Sequence, residues 1–272
     1  MSAYSEESVS AIVPTLNEEP YIRGLMDSLR LQSTSAIEVI CVDGGSTDGT
    51  PEIAGQLGAR VLVQTEESQD DSMNRGANIA RGRILFFLSA DVRIRTDAIQ
   101  IIKSEFQSDP TLIALTGRPI PFEATAFCRM EYAAYNVAKR TFDFLPGHFK
   151  RFVPSSSFLA VSNEAFRKVG GFCSGNYNSD GLIGRRLVPL GHTKLKYDLT
   201  YQISARRYNK LGFIQFNRQF IYVVENFFPA IFKLGIFKRL GHEAMIQHHV
   251  TGQRALCRTT NEQLRIPTAP PD

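Results

Sequence analysis

The sequence has few cysteines and no long uninterrupted apolar run. Its four cysteines lie far apart and show none of the spacings of a metal site: Cys41, Cys128, Cys173 and Cys257. We interpret all four as free thiols, which is the usual state in a reducing cytosol. No signal peptide is expected ahead of Val9. These absences favour a cytoplasmic protein.

Several classes of function are disfavoured because their motifs are missing. No G-x-G-x-x-G motif lies between the first predicted strand and helix, which argues against a Rossmann-type dehydrogenase. The formal charge of +4 is modest and the basic residues form no single run, so no nucleic-acid partner is predicted. The five histidines form no metal set, and the serine run 155–157 lacks the nearby histidine and acid of a hydrolase triad.

What the sequence contains is an alternation of strand-like and helical segments. An apolar run from Val9 ends at Pro14, and apolar residues at helical spacing follow from Tyr21 to Leu29. The order repeats in "EVICVD", "TPEIAGQLG" with Thr50 as the expected N-cap, "ARVLVQT", "SMNRGANIARG" and "RILFFLSAD". The continuous apolar character of the last run is typical of a sheet covered on both faces. The sequence therefore predicts an α/β fold with a mostly parallel central sheet flanked by helices.

Two acids follow strands of this predicted sheet. Asp43 ends "EVICVD" and Asp91 ends "RILFFLSAD", with 48 positions between them. Ligands of open α/β sheets bind beyond the carboxyl ends of the strands, where loops and helix N-termini converge. We therefore expect both carboxylates at one rim of the sheet.

The middle of the chain looks less regular. Gly117 to Pro154 is rich in proline and aromatic residues, and we predict an irregular connecting region with one helical stretch from Phe127 to Phe142. Beyond it we expect a strand, a short helix with Ser162 as its N-cap, a further helix starting near Asp180, and strand structure.

The C-terminal part changes character. From Gly212 the chain is rich in phenylalanine and isoleucine, but charged residues interrupt it, so no run reaches the roughly 20 residues of a spanning helix. We predict amphipathic helices over 212–258 that lie on a membrane surface, or pack on the core or on a partner subunit. The predicted domains are thus 1–211, this extension, and a loose polar tail over 259–272.

Four motifs together resemble the nucleotide-sugar glycosyltransferases of family 2, which have the GT-A fold. They are "AIVPTLNEE", "VDGGSTDGT", "NRGANIARGRILFFLSAD" and "GGF…SDGLIGRRLVPLG", and they span about Val9 to Gly191 in the family's order. The later "TYQISARRY" looks like a family motif in which paired arginines precede an aromatic residue. The resemblance implies an inverting, metal-dependent hexosyltransferase that uses a UDP or GDP sugar.

The resemblance assigns roles on the donor side. Asp91 would hold Mg²⁺ or Mn²⁺ through oxygen, since such cations take only one or two protein carboxylates beside substrate phosphates; the alternative is a turn acid. Asp43 would accept from a base imide or a ribose hydroxyl, the alternative being an Asx-type turn with the following glycines. Pro14 and Glu18 would border the base and ribose. Ser46, Thr47 and Asp48 are expected to close the turn and cap the next helix.

Further roles concern the diphosphate and the acceptor. Arg75, Arg206 and Arg207 would contact the diphosphate, because guanidinium forks match phosphate oxygens, with solvated surface charge as the alternative. Asp180 would be the general base that deprotonates the acceptor hydroxyl, and it can also serve as an N-cap. His148 can line the acceptor pocket. The amphipathic extension suggests a lipid-linked acceptor and contact with the cytoplasmic face of a membrane.

Three departures from the family pattern support a second reading. Gly44 follows Asp43 where a second acid is usual, Ser89 replaces the first acid of the metal motif, and Ser179 precedes Asp180 where a glutamate is usual. The alternative function is a degenerate, non-catalytic module of the same fold that binds a nucleotide sugar or a partner protein.

Overall fold

The computed structural model describes residues 8–34, 37–64, 68–145, 149–150, 153–174 and 179–212. His148, Cys257 and the predicted extension beyond Gly212 therefore lie outside the described residues. The strands are β1 (Val9–Thr15), β2 (Ile37–Asp43), β3 (Arg60–Val63), β4 (Ile84–Leu88), β5 (Val92–Ile94), β6 (Leu112–Phe122), β7 (Phe158–Ser162) and β8 (His192–Ser204). The helices are α1 (Glu19–Arg30), α2 (Thr50–Gln56), α3 (Gln69–Ile79), α4 (Ala98–Ser108), α5 (Ala126–Phe144), α6 (Asn163–Lys168) and α7 (Ser179–Leu187). Residues 206–212 are also helical.

The strands form one sheet with the order β3-β2-β1-β4-β7-β6-β8-β5. The pairs β1–β2, β1–β4, β2–β3 and β6–β8 are parallel, and β4–β7, β6–β7 and β5–β8 are antiparallel. The parallel strands predicted from the first half of the chain are thus present, and the second half adds the antiparallel pairs. The result is a mixed α/β sheet.

Hydrophobic cores cover both faces of the sheet. Along β4 the side chains alternate, so that Phe86 packs with α1 and α4 while Phe87 packs with α3, α6 and α7. All five β4 residues are buried, as the unbroken apolar run predicts. Helix α1 buries one stripe, namely Ile22, Leu25, Met26 and Leu29. Among the described helices, none is both long and apolar enough to cross a membrane.

The structure corrects the interpretation of Gly117–Phe122 as irregular. This segment is the second half of β6, in which Pro119 pairs with Tyr201 and Pro121 with Ile203 of β8. The antiparallel partner β7 pairs only with Ala114–Thr116, so the prolines lie where β6 has a strand neighbour on one side. Proline is tolerated there because its missing N–H interrupts no second ladder. The predicted helix that follows is confirmed as α5.

Cap predictions had mixed outcomes. Ser162 caps α6, as predicted, by accepting from the Ala165 N–H. Thr50 is the first residue of α2 and Gly49 is its N-cap. The Thr50 hydroxyl is engaged elsewhere, because it donates to Asp48 at 2.5 Å and accepts from the Glu18 N–H at 2.8 Å. These bonds join α2 to the loop before α1.

Candidate active site

The polar residues after β2 form a turn around the Asp43 carboxylate. Asp43 is the last residue of β2 and is 1% exposed. Its oxygens accept from the Ser46 N–H at 2.8 Å, the Gly45 N–H at 3.1 Å, the Ser46 hydroxyl at 2.5 Å and the Thr15 hydroxyl at 2.9 Å. Gly45 has a φ of 92°, a conformation that glycine adopts without strain. The carboxylate thus organises the turn from within.

This geometry bears on the predicted role of Asp43. Four donors already surround its oxygens, as in the Asx-type alternative. A ligand N–H would have to join or displace one of them. Direct contact between Asp43 and a nucleoside stays a prediction, as does the bordering role of Pro14, which is half-buried in β1 opposite Val42.

The loops after β1 and β2 are joined by further hydrogen bonds. The Asn17 N–H donates to the Ser46 hydroxyl at 2.8 Å, and the Asn17 side-chain oxygen accepts from the Thr47 N–H at 2.9 Å. Asn17 adopts a φ of 53°, which asparagine tolerates better than most residues. Asp48 accepts from the Glu19 N–H and from the Thr50 N–H. Ser46, Thr47 and Asp48 therefore close the turn, as predicted, but the N-cap of α2 is Gly49, which has no side chain to cap the helix.

Gln64, which the sequence did not mark, lies beside this turn. It follows β3, and its N–H donates to the Asp43 carbonyl at 2.7 Å. The residue is buried, with 8% exposure, and within the described ranges neither side-chain amide atom has a hydrogen-bond partner. Buried amide groups normally satisfy both atoms, so this residue points to a polar ligand at the end of the sheet.

An arginine bridges two carboxylates at the same rim. Arg206 donates from Nη2 to Glu18 Oε1 at 2.6 Å and from Nε to Asp91 Oδ2 at 2.9 Å. Its guanidinium also lies over the Tyr21 ring, 4.5 Å from the centroid. We call Glu18, Tyr21, Asp91 and Arg206 the arginine-bridged cluster. It joins residues from the loop after β1, the first turn of α1, the loop after β4 and the helical segment after β8.

The sheet positions the members of this cluster. Asp91 lies in the turn between β4 and β5, and β5 pairs antiparallel with the end of β8, placing Val92 opposite Ile203. The Ser204 N–H donates to the Asp91 carbonyl at 3.0 Å. Arg206, two residues later, is therefore next to the Asp91 side chain. The resemblance predicted that Arg206 contacts a diphosphate. In this structure its ion-pair partners are Glu18 and Asp91.

Burial shapes the electrostatics of Glu18. Removal from water raises the pKa of Glu18, and the hydrogen bond and charge of Arg206 oppose this rise. The second carboxylate oxygen, Oε2, is buried, and no described residue forms a hydrogen bond with it. The cluster is therefore incomplete as a hydrogen-bond network, because one acceptor has no donor.

A second group of charges surrounds Asp180 in the first turn of α7. Asp180 Oδ1 accepts from the Ser156 N–H at 2.8 Å. Burial raises the pKa of Asp180, while the Ser156 hydrogen bond and the charges of Lys139 and Arg207 lower it. Lys139, on α5, is 2% exposed, and its ammonium group has no hydrogen-bond partner among the described residues. We call Tyr135, Lys139, Asp143 and Asp180 the lysine cluster.

The serine run before β7 supports this cluster. Ser156 anchors Asp180 through its N–H, and the hydroxyls of Ser155 and Ser157 lie 3.0 Å apart. The Ser157 hydroxyl also lies 3.1 Å from the Tyr201 hydroxyl. The run is therefore a scaffold, in keeping with the weak case for a hydrolase.

Asp70, at the start of α3, also faces α7. The Ser179 hydroxyl, where the family usually has a glutamate, donates to Asp70 Oδ1 at 2.8 Å. Burial raises the pKa of Asp70 to about 7, and the charges of Asp180 and Asp71 add to the increase. A carboxyl group from α3 thus approaches the position at which the sequence lacks the usual acid.

The structure brings some predicted residues together and leaves others apart. Glu18, Asp91 and Arg206 are in direct contact, and Arg207 acts electrostatically on Asp180. Arg75 is exposed on α3. Sequence reasoning missed Gln64, Asp70 and Lys139. For Lys139 the helical spacing of Cys128, Tyr132, Tyr135 and Lys139 was the available signal, because it places the lysine on the buried face of α5.

Comparison with known proteins identifies similar sequences. Residues 10–170 match the family described as glycosyl transferase family 2. A PGL/p-HBAD biosynthesis glycosyltransferase of Mycobacterium bovis is 41% identical over 88 residues, which cover 30% of this chain and 34% of that protein. The match therefore spans about a third of the length of this curated relative.

Solved structures resemble the fold. A mannosyltransferase from Pyrobaculum calidifontis, in complex with GDP-Man and Mn²⁺, aligns with a TM-score of 0.62 and 19% identity, over 90% of this chain and 76% of that one. Glucosyl-3-phosphoglycerate synthase from Mycobacterium tuberculosis, in complex with Mn²⁺, UDP and glucosyl-3-phosphoglycerate, aligns with a TM-score of 0.59 and 18% identity, over 84% and 85%. The predicted GT-A fold class is thereby confirmed.

Proposed function

The chain belongs to glycosyl transferase family 2, and from this premise we propose that it transfers a sugar from a nucleoside-diphosphate sugar to an acceptor hydroxyl or a lipid phosphate. The observation that carries the proposal is the arrangement at the carboxyl rim of the sheet. Asp91 and Arg206 lie on one side, and Asp180 is held by a backbone N–H in the first turn of α7. These groups suit the two charges that sugar transfer creates.

The departing diphosphate needs positive charge. Arg206 has a fixed position and a planar fork that matches phosphate oxygens, so we propose that it exchanges its carboxylate partners for the diphosphate when the donor binds. Arg207 would add charge from the same helical segment, and Arg75 from α3. Gln64 and Asp43 would border the base, together with Pro14, at the ends of β3, β2 and β1.

The carboxylates also fit a divalent cation. Hard cations such as Mg²⁺ and Mn²⁺ bind oxygen, keep several waters and use one or two protein carboxylates beside substrate phosphates. Asp91 and the unpartnered, buried Oε2 of Glu18 are suitable oxygens. Among the described residues no group of three or more potential ligands occurs, so the substrate would complete the shell. The bound cation would neutralise charge on the leaving group.

Asp180 is the proposed general base. Its Oδ1 is held by the Ser156 N–H, and the carboxylate would accept the proton of the acceptor hydroxyl. The resulting alkoxide character drives attack on the anomeric carbon from the face opposite the diphosphate, and the configuration inverts. The transferred unit is proposed to be a hexose.

Membrane contact is proposed separately, from the sequence of the extension over 212–258. Its apolar and basic residues suit a peripheral position at the cytoplasmic face of a membrane, where a lipid-linked acceptor would lie. The test is sedimentation with liposomes of the full chain and of a chain truncated after Asn209. Retained sedimentation of the truncated chain would overturn this part of the proposal.

The site itself is tested by calorimetric binding of UDP, GDP and their sugars, with and without Mn²⁺. We expect the wild type to bind one nucleotide in a metal-dependent manner, and Asp91→Asn to lose this dependence. The departures Ser89 and Ser179 favour the alternative of a non-catalytic module. Tight nucleotide binding that is indifferent to metal and to Asp91, without turnover, would support that alternative.

A further inference from the structure

Lys139 carries a charge that the structure leaves without a hydrogen-bond partner. The residue is 2% exposed, and its ammonium nitrogen has no hydrogen-bond partner in the part of the chain that the structure describes. Burial lowers the pKa of Lys139 to about 8, against the charges of Asp180 and Asp143, which raise it. A buried ammonium group is costly unless its charge is compensated. The position therefore needs an explanation beyond packing.

Lys139 lies in the buried region around Asp180, because the neighbouring Tyr135 hydroxyl bonds to Ser155, which precedes the residue whose N–H holds Asp180. Helix α5 is docked on β6 by Asn136, whose side chain donates to the Pro119 carbonyl at 2.9 Å. One turn after Lys139, Asp143 accepts from the Leu195 N–H of β8 at 3.1 Å. The Tyr135 ring lies 5.4 Å from the ammonium nitrogen. The two hydrogen bonds dock α5 on β6 and β8, with Lys139 on the buried face of the helix.

We propose that Lys139 is a positioning residue: its fixed ammonium group is the counter-charge that keeps the Asp180 carboxylate ionised and oriented towards the acceptor. This inference rests on the proposed role of Asp180 as the base. A base must be deprotonated before the acceptor binds, and the environment of Asp180 favours its neutral form. An unpaired cation nearby opposes that tendency without occupying the oxygen that receives the proton.

Other titratable and charged groups also act on Asp180. Arg207, from the helical segment after β8, also favours the ionised carboxylate. Asp70 from α3 feels the charge of Asp180, as do the hydroxyls of Tyr135 and Tyr201. Asp143 acts on the lysine, and its charge raises the Lys139 pKa. Without Lys139, burial and the Asp70 charge would raise the Asp180 pKa, and Arg207 and the bonding to Ser156 would lower it.

The experiment is a titration of the Asp180 carboxyl carbon by ¹³C NMR, on the full chain without substrate. The Asp180 signal is assigned by its loss in Asp180→Asn. We expect Lys139→Met to raise the titration midpoint by about one pH unit or more, since an opposite charge at close range lowers a carboxyl pKa by this amount. Lys139→Arg should restore the wild-type midpoint. The matched control is Arg140→Met, which removes an exposed cation from the same helix.

A reciprocal measurement covers the case in which Lys139→Met does not fold. Coupling between two groups is mutual, so Asp180→Asn should lower the midpoint of the Lys139 ammonium group, followed by its ¹³Cε shift, by a similar amount. An unchanged midpoint in either folded variant would overturn the inference. Turnover plays no part in these readouts. A protein with the coupling but without transferase activity would refute the proposed function and leave the charge pair standing.

Discussion

The arginine-bridged cluster and the lysine cluster handle buried charge in opposite ways. In the first, Arg206 reaches Glu18 at 2.6 Å and Asp91 at 2.9 Å, so both acids have a direct cationic partner. In the second, Lys139 acts on Asp180 without a hydrogen bond, and the Asp180 oxygen that is fixed accepts from a backbone N–H. In the arginine-bridged cluster the charges form direct ion pairs, whereas in the lysine cluster they interact without a hydrogen bond.

This difference matches the chemistry proposed for each side. A paired arginine can be released to an incoming diphosphate, because the ligand offers the same kind of partner that it replaces. A base needs an open lone pair for the proton, and a cation that acts without a hydrogen bond occupies none of them. The arginine-bridged cluster thus suits binding, and the lysine cluster suits proton transfer.

The largest expected effect is on the base. Asp180→Asn should lower kcat by about 10²- to 10⁴-fold, because loss of a general base typically costs this much. Asparagine keeps an acceptor for the Ser156 N–H, so the fold and nucleotide affinity should be unchanged. Initial rates with the donor found by calorimetry provide the measurement, and the control is Asp198→Asn, a residue whose side chain is 75% exposed. If Asp180→Asn had the wild-type rate, Asp180 would not be the base, and the lysine cluster would have no role in proton transfer.

The next effect concerns stability. The folded protein holds the Asp70 proton up to about pH 7, whereas the ordinary value is 3.8, so stability should fall as the pH rises between these values. The contribution is roughly 4 kcal/mol at most. Asp70→Asn keeps the acceptor for Ser179 and should flatten this part of the pH profile, making the variant more stable than wild type at pH 7.5. Urea unfolding at pH 4.5 and 7.5 measures it. Parallel profiles for the two proteins would contradict the prediction.

A smaller effect is expected at Arg206. Because its guanidinium occupies Asp91 Oδ2, Arg206→Gln should bind Mn²⁺ in the absence of nucleotide about tenfold more tightly, as the loss of one charge-assisted hydrogen bond allows. The same variant should bind the nucleotide diphosphate more weakly. Calorimetry with Mn²⁺ alone and with UDP or GDP separates the two changes. Lys210→Gln, an exposed cation of the same helical segment, is the control. Equal Mn²⁺ affinity in all three proteins would argue against competition at Asp91.

The smallest effect is expected in the turn. Ser46→Ala removes a donor to Asp43 and an acceptor for the Asn17 N–H, and should cost about 1–2 kcal/mol of unfolding free energy. Thr47→Val is the matched control, since it loses only a 3.3 Å hydroxyl contact with Asn17. Denaturant unfolding measures both. A Thr47→Val loss as large as that of Ser46→Ala would show that the hydroxyl network of Asp43 is not what stabilises the turn.

Much of the fold could be predicted because its elements have simple periodicity. The apolar run of β4 and the stripe of α1 are local patterns that burial explains. The second half of β6 could not be predicted, because Pro119 and Pro121 are strand breakers except beside an unpaired edge, and that edge depends on where β7 ends. Strand neighbours are a property of the tertiary fold.

In the site, too, residue types could be predicted from local motifs, whereas contacts that depend on the tertiary fold could not. Asp91, Glu18 and Arg206 could be named from motifs, but their mutual contact depends on the pairing of β5 with β8. Lys139 and Asp70 could not be recognised from residue type, because a lysine or an aspartate in a helix is usually solvated. Their roles depend on burial and on distant residues. Lys139 acts on Asp180, 41 positions away, and Asp70 accepts from Ser179, 109 positions away.

The bonds between the loops after β1 and β2 have a consequence for redesign. Asn17, Ser46 and Thr47 exchange hydrogen bonds, and Thr50 accepts from the Glu18 N–H. The two loops therefore form one structural unit, although Asn17 and Ser46 are 29 positions apart in the sequence. A chimera that takes residues 43–50 from a relative with another nucleotide preference should also take residues 15–19 from the same parent. If only one loop is grafted, its hydrogen-bond donors and acceptors would no longer match those of the other loop, which comes from a different parent protein.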